Sequence, residues 1–115
     1  MAKDEYYVIV CKILVFLYKK LKGKEQRTNI EYIAPLTKDF PIDEEYLRYV
    51  IEKMNEKGFV EKVTVVKAWG EETIRVDYDK MRITPEGIDY LKDNGTMQKL
   101  VHTLQEAIPI MSLFT

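Results

Sequence analysis

Apolar residues recur with a helical period near the start of the chain. A stripe running from Tyr7 to Leu21 repeats about every 3.6 residues, and Ile9, Ile13 and Phe16 form a second apolar face beside it. The pattern predicts a long N-terminal helix within residues 1–22. A helix with two apolar faces is either covered on both sides by its own chain or packs on one side against another chain.

The middle of the chain, residues 29–57, has the pattern of a helix-turn-helix. A short helix is predicted over residues 29–36, followed by a turn over residues 37–41. The next helix, residues 43–57, starts with Asp43, a residue type that favours the N-cap position. Its apolar residues have helical spacing and are expected to face the core: they are Leu47, Val50, Ile51 and Met54.

Residues 59–83 are predicted to form a two-stranded β-hairpin. The stretch from residue 59 to residue 68 is rich in valine, and a turn around Gly70 follows it. Ile74, Val76 and Tyr78 then alternate with polar residues, which is typical of a strand with one buried face.

The segment ITPEGIDYLKDNG, which begins at residue 83, carries the signals of a complete helix. Thr84 is a good N-cap, and Pro85 suits the first helical position because an N–H there has no partner within the helix. Gly87 is expected to allow a close approach between backbones. Asn94 and Gly95 are expected to stop the helix in the left-handed conformation.

A second helix is predicted to complete the C-terminal region, residues 84–107. Thr96 is its expected cap, and Met97, Leu100, Val101 and Leu104 are expected on its apolar face. The last residues, 108–115, form an apolar tail. We expect this tail to dock on its own domain or on a partner, because chain ends are usually polar.

The order of these elements predicts an α+β fold. A helix-turn-helix that leads directly into a β-hairpin is the order of a winged helix, here with additional C-terminal helix. Residues 43–57 would be the recognition helix, and Gly70 would mark the tip of the wing. The length of 115 residues predicts a single domain over residues 1–115.

Composition narrows the class of protein further. The only cysteine, Cys11, lies within the apolar pattern of the first helix, which predicts a core residue in a reducing compartment and hence a cytoplasmic location. The apolar run of residues 8–18 is shorter than the roughly 20 residues that a membrane span requires, so no membrane contact is expected.

The chain from residue 42 to residue 107 resembles the YjcQ-like family of small winged-helix proteins from Gram-positive bacteria and their phages. The resemblance rests on DEEYLRYVIEKMNEKGF, then a hairpin, then ITPEGIDYLKDNG with a threonine-initiated helix directly after it. It implies a winged-helix fold and DNA binding, as in a phage or prophage-type transcriptional regulator. The first helix of this chain is longer and more apolar than the family pattern.

Double-stranded DNA is therefore one expected partner. Base and phosphate contacts need cationic and hydrogen-bonding side chains on the recognition helix and beside the wing. The candidates for DNA binding are Lys38, Arg48, Tyr49, Lys53, Lys57, Lys67, Trp69 and Arg75. Acidic residues oppose them, because residues 43–57 carry five acids and three bases, and an intrahelical pair between Arg48 and Glu52 is expected.

A homodimer is the second expectation, and a protein partner is the alternative to DNA. The first helix, the last helix and the apolar tail would form the dimer contact. The candidates for this contact are Ile9, Ile13, Phe16, Leu100, Leu104, Ile110, Leu113 and Phe114. If the chain is instead a winged-helix protein-interaction module, the acidic recognition helix and the apolar ends would meet the protein partner.

No enzyme, cofactor or metal site is expected. His102 is the only histidine, which leaves too few residues for a hydrolytic triad or a histidine-based metal site. Asp77 and Asp79 share one face of a strand, but alternating polar residues produce such pairs routinely. The glycines are scattered and form no phosphate-binding loop.

Overall fold

The computed structural model describes residues 5–36 and 43–104. Five α-helices and four strands follow one another in the described residues, with a short 3-10 helix, Trp69–Glu71, between β2 and β3, and they form an α+β structure compatible with a winged helix. They are α1 Glu5–Leu21, α2 Asn29–Ile33, α3 Glu44–Glu56, β1 Val60–Glu61, β2 Thr64–Lys67, β3 Thr73–Asp77, β4 Arg82–Ile83, α4 Pro85–Asp93 and α5 Gly95–Leu104.

Helix α1 lies at the centre of the domain. It packs against α2, α3, α4, α5 and β4, which explains why its sequence is apolar on more than one face. Ile9, Ile13 and Phe16 are at most 2% exposed, and the ring of Phe16 stacks on that of Tyr32 at 4.3 Å. Neighbouring elements of the same chain therefore already bury these three candidates for the dimer contact, which leaves them almost no exposed surface.

One buried side chain joins helix α2 to the turn between β3 and β4. Thr28 and Glu31 form a capping box at the start of α2, in which each side chain binds the backbone N–H of the other residue. Directly after the cap, the amide of Asn29 donates to the carbonyl oxygens of Tyr78 and Met81, at 2.8 and 2.9 Å. The loop between α1 and α2 is thus held beside the turn that precedes β4.

The predicted hairpin exists, but it is divided into two short ladders. The inner ladder pairs β1 with β4, and the outer ladder pairs β2 with β3, both antiparallel. Lys62 separates β1 from β2 because its φ of 64° lies in the left-handed region, which interrupts the extended backbone. The strand region predicted over residues 59–68 is therefore divided into β1 and β2.

A β-bulge changes the alternation of β3. Val66 pairs with Arg75, but the next residue, Lys67, pairs with Thr73, so that Ile74 is an extra residue on β3. Thr73 then takes the position on the α3 side of the strand that strict alternation assigned to Ile74. As a result Ile74 is 52% exposed, whereas Val76, beyond the bulge, is buried as expected.

Helix α4 begins where the sequence predicted, at a close backbone contact. The hydroxyl of Thr84 accepts a hydrogen bond from the N–H of Gly87 and donates to the carbonyl oxygen of Gly58, at 3.0 and 2.5 Å. A Cβ atom on Gly87 would overlap the carbonyl oxygen of Phe59. Gly87 is therefore required for packing, as expected.

The junction between α4 and α5 differs from the prediction. Asn94 is extended rather than left-handed, and Gly95 is already the first residue of α5. The side chain of Asn94 accepts a hydrogen bond from the N–H of Met97 at 3.1 Å, so Asn94 is the cap of α5 in place of Thr96. The amide of Gln98 donates back to the carbonyl oxygens of Leu91 and Lys92, which satisfies the end of α4.

Several predicted residues lie outside the described part of the chain. Among the dimer candidates, Leu100 is partly buried against the core, while the side chain of Leu104 is not described. The other candidates outside the described residues are Lys38, Ile110, Leu113 and Phe114.

Candidate functional site

The outward side chains of α3, β2 and β3, with the tip between the two strands, form a surface that we call the α3–hairpin surface. Helix α3 packs against β3 and directs Leu47, Val50, Ile51 and Met54 inward, as its period predicted. This leaves Tyr49 exposed and Arg48 and Lys53 half-buried. The fold therefore places three of the candidate DNA contacts beside the hairpin.

Glu52 joins α3 to both strands of the outer ladder. Its carboxylate accepts a hydrogen bond from the hydroxyl of Thr73 at 2.8 Å and forms an ion pair with Lys67 at 3.3 Å. The hydrogen bond from Thr73, followed by the interaction with Lys67, lowers the pKa of Glu52. The expected pair of Glu52 with Arg48 is not formed, since these two partners on the hairpin bind the carboxylate instead.

Lys53 is also engaged within the chain. Its ammonium group lies 3.2 Å from the carboxylate of Glu56 and 5.4 Å from the centre of the Tyr49 ring. The hydrogen bond to Glu56 raises the pKa of Lys53. The Tyr49 ring in turn stacks on Tyr46.

The two arginines of the surface differ in their partners. Arg75 pairs with Asp77 on the same strand, at 3.1 Å. Arg48 lines two small grooves between α3 and the hairpin, one shared with Arg75 and one shared with Thr73. Arg48 forms no hydrogen bond or ion pair with the residues that the structure describes. It is thus the cation of α3 best placed to meet a ligand.

Three large apolar side chains on this surface are open to solvent. Trp69, at the tip between β2 and β3, is fully exposed, and Tyr49 and Ile74 are about half exposed at 49% and 52%. Gly70 permits the tight turn at the tip through its φ of 83°. Aromatic side chains presented in this way are typical anchors of protein interfaces.

The local charge of the surface is negative. Residues 43–57 carry three bases and five acids, and residues 64–77 carry two bases and three acids, which gives −3 in total. Three of the five bases, Lys53, Lys67 and Arg75, are paired with acids. A phosphate backbone would therefore meet little uncompensated positive charge here.

The structure thus brings together most of the described DNA-binding candidates. Arg48, Tyr49, Lys67 and Arg75 lie between α3 and the outer ladder, Trp69 lies at the tip, and Lys57 lies at the other end of the region, where it caps α3. Sequence reasoning did not identify Thr73 or Ile74, or the role of Glu52 as a link. No local signal marks them, because their positions depend on a bulge and on contacts across 15 to 21 residues.

Other kinds of site find no support in the described residues. Across residues 5–36 and 43–104 no three histidine, cysteine or acidic side chains are grouped to hold a metal ion. Within those same ranges, no helix has both the length and the apolar character that crossing a membrane requires. His102 is exposed, and Cys11 is buried in the core.

Comparison with known proteins gives one match. A model of the family described as YjcQ protein matches residues 11–108, which is most of the chain. No curated protein and no solved structure matches.

Proposed function

The chain belongs to the YjcQ family, and from this premise we propose that it is a winged-helix protein whose α3–hairpin surface binds a protein partner. The observation that carries the proposal is the combination of negative charge with exposed apolar anchors. The surface has a charge of −3 and presents Trp69, Tyr49 and Ile74 to solvent.

The chemistry of the surface defines the partner. Trp69 is fully exposed, and burying an indole ring in an apolar pocket is a common source of binding energy. The acids Glu44, Glu45 and Glu72, which line the two grooves beside Arg48, are exposed and would pair with basic residues of the partner. The expected partner is therefore a protein with an apolar pocket bordered by lysine or arginine.

DNA binding is the second candidate, and Arg48 is the observation that favours it. The order of helices and hairpin is compatible with a winged helix, and Arg48 lies on α3, the expected recognition helix, without a hydrogen bond or ion pair to the described residues. In this case the protein would act as a phage or prophage-type transcriptional regulator, and a homodimer would double its few basic contacts.

One pair of experiments separates the two candidates. First, a photo-crosslinking amino acid replaces the exposed Ile74 in the full chain expressed in its native cell, so that Trp69 is retained, and a second chain carries it in place of the exposed Lys99 on α5. The protein-binding proposal predicts a discrete protein adduct from position 74 and none from position 99. Equal or absent adducts at the two positions would overturn it.

Second, the purified chain is titrated with generic duplex DNA at low salt, and the salt concentration is then raised. We expect no DNA binding, since the surface has little uncompensated positive charge. Binding that weakens with salt and is lost in Arg48→Glu, but not in the matched variant Lys99→Glu, would establish the DNA-binding candidate instead.

A further inference from the structure

A second surface, which is rich in basic residues, lies where the C-terminal end of α1 meets β4. It is a groove of about 340 Å³ that we call the basic groove. The groove has an apolar floor with two cationic side chains at its edge. Its lining residues are Leu17, Lys20, Leu21, Met81, Arg82 and Ile83.

The fold concentrates positive charge around this groove. Residues 19–27 carry five bases and one acid, and residues 80–82 carry two bases, so these two segments together have a charge of +6. The packing of α1 on β4 and the hydrogen bonds from Asn29 to the turn before β4 hold the two segments side by side. Because the net charge of the whole chain is −1, the remaining residues have a charge of −7.

The cations at the basic groove are less compensated than those of the α3–hairpin surface. Among the described residues, Lys20, Lys24, Lys80 and Arg82 form no ion pair with an acid. Lys20 donates only to the backbone carbonyl of Arg27, at 2.7 Å. Within residues 19–27 the acid is Glu25, which pairs with Arg27 at 2.8 Å, and Glu61 lies opposite Arg82 in the inner ladder. A ligand with negative charge would therefore reach Lys20 and Arg82 without breaking an ion pair among the described residues.

The floor of the basic groove adds a second requirement for the ligand. Leu17, Met81 and Ile83 are at most 5% exposed and form an apolar base, while Leu21 beside them is 48% exposed. A nucleic acid backbone would meet the cations but leave uncovered the exposed apolar surface of the groove, which belongs mainly to Leu21. A peptide with aliphatic or aromatic side chains between acidic ones would satisfy both the floor and the edge.

We infer that the basic groove binds an acidic peptide segment of a protein partner, with one or two apolar side chains on the groove floor and carboxylates paired with Lys20 and Arg82. This inference goes beyond the proposed function, because it concerns a different surface and a partner segment of the opposite charge. The chain would then connect two different partners.

The probe for this inference is a synthetic twelve-residue peptide in which pairs of glutamate alternate with leucine or phenylalanine, labelled for fluorescence anisotropy. A control peptide has serine in place of every apolar residue. We expect the full-length protein to bind the first peptide and to bind the second at least about tenfold more weakly, since the control lacks the contact with the floor.

Variants of the full chain locate the binding. Lys20→Glu with Arg82→Glu is expected to weaken binding of the first peptide at least about tenfold. Lys57→Glu with Lys99→Glu makes the same change in net charge at exposed positions outside the groove, and it is expected to leave binding within about twofold. Leu21 is exposed, and the Leu21→Gln variant is expected to bind the peptide with apolar residues more weakly. Its binding of the serine peptide is expected to be unchanged.

Amide chemical shifts measured by NMR during the titration give an independent readout of the contact surface. Shifts confined to Lys20, Leu21, Met81 and Arg82 and their neighbours would support the inference even if a variant lost its fold. Four results would overturn it: no binding, equal binding of the serine peptide, tighter binding of duplex DNA at the same groove, or shifts on the α3–hairpin surface. Self-association of the free chain that the Lys20→Glu, Arg82→Glu variant abolishes would identify a second copy as the occupant instead.

Discussion

The carboxylate of Glu52 on α3 accepts a hydrogen bond of 2.8 Å from the hydroxyl of Thr73 on β3. The same carboxylate pairs with Lys67 on β2, so one side chain fixes the outer ladder against the helix. The side chain of Glu52 is only 15% exposed, which reduces the screening of both contacts by solvent.

Glu52→Gln is expected to lower the free energy of unfolding by about 1 kcal/mol, since it removes the ion pair but retains an oxygen that can accept from Thr73. Amide hydrogen exchange in β2 and β3 should accelerate more than exchange in β1 and β4. The matched control is Glu56→Gln, whose pair with Lys53 is exposed and is expected to contribute little. Equal effects of the two variants in urea denaturation would contradict the role of Glu52.

Gly87→Ala is expected to destabilise the domain by about 3 kcal/mol, because the new methyl group would overlap the carbonyl oxygen of Phe59 and the Ile83 side chain. Gly95→Ala is the control. No atom lies within 4 Å of a Cβ at Gly95, and its φ is not positive, so alanine in this first turn of α5 should be neutral or stabilising by about 0.5 kcal/mol. Urea midpoints of the two variants should therefore move in different directions or by clearly different amounts.

The stability of the loop after α1 should depend on pH through Glu25. Two contacts from Arg27, the side-chain hydrogen bond first, hold the pKa of Glu25 at about 2, below its ordinary value of 4.5. A carboxyl group whose pKa is lowered in the folded state stabilises the fold above its unfolded pKa and loses this contribution as pH falls towards its folded pKa. Since Arg27 is half exposed, we expect a contribution of about 1 kcal/mol after solvent screening.

Glu25→Gln tests this dependence. The difference in unfolding free energy between the natural chain and the variant should be constant near neutral pH and should shrink between pH 4.5 and about 2. Guanidinium would screen the pair, so urea is the appropriate denaturant. A difference that does not change over this range would show that the pair does not stabilise the fold.

The exposure of Trp69 can be measured by intrinsic fluorescence, because it is the only tryptophan of the chain and is fully exposed. Its fluorescence in the folded state should match that of the urea-unfolded chain and should be fully accessible to a soluble quencher. Trp69→Ala should leave the unfolding free energy within about 0.5 kcal/mol, since no packing is lost. An emission shifted to shorter wavelength in the free protein would show that the indole ring is already buried.

The sequence was sufficient for the elements that depend on short-range signals. The helical periods of α1, α3 and α4 and the cap formed by Thr84 were predicted, because each depends on residues within one or two turns. The prediction that Gly95 helps to stop α4 in the left-handed conformation was wrong, because Gly95 is the first residue of α5. Asn followed by Gly is compatible with a helix stop and also with a new N-cap, and the side chain of Asn94 forms the cap.

The candidate site was less predictable because its geometry depends on long-range pairing. Local spacing favoured Arg48 as the partner of Glu52, but the bulge at Ile74 brings Thr73 to that carboxylate. In the same way, the apolar faces of α1 did not reveal whether Ile9 and Ile13 meet their own chain or a second one. Their neighbours in the fold belong to segments that follow much later in the sequence.

The central position of α1 also has a consequence for how the protein is made. This helix is synthesised before α4 and α5, which cover much of it. While the elements between them are translated, α1 therefore lacks these partners, and folding depends on contacts between segments that lie far apart in the sequence. A ribosome stalled before α4 would display α1 with much of its apolar surface uncovered, which makes the unfinished chain a substrate for chaperones.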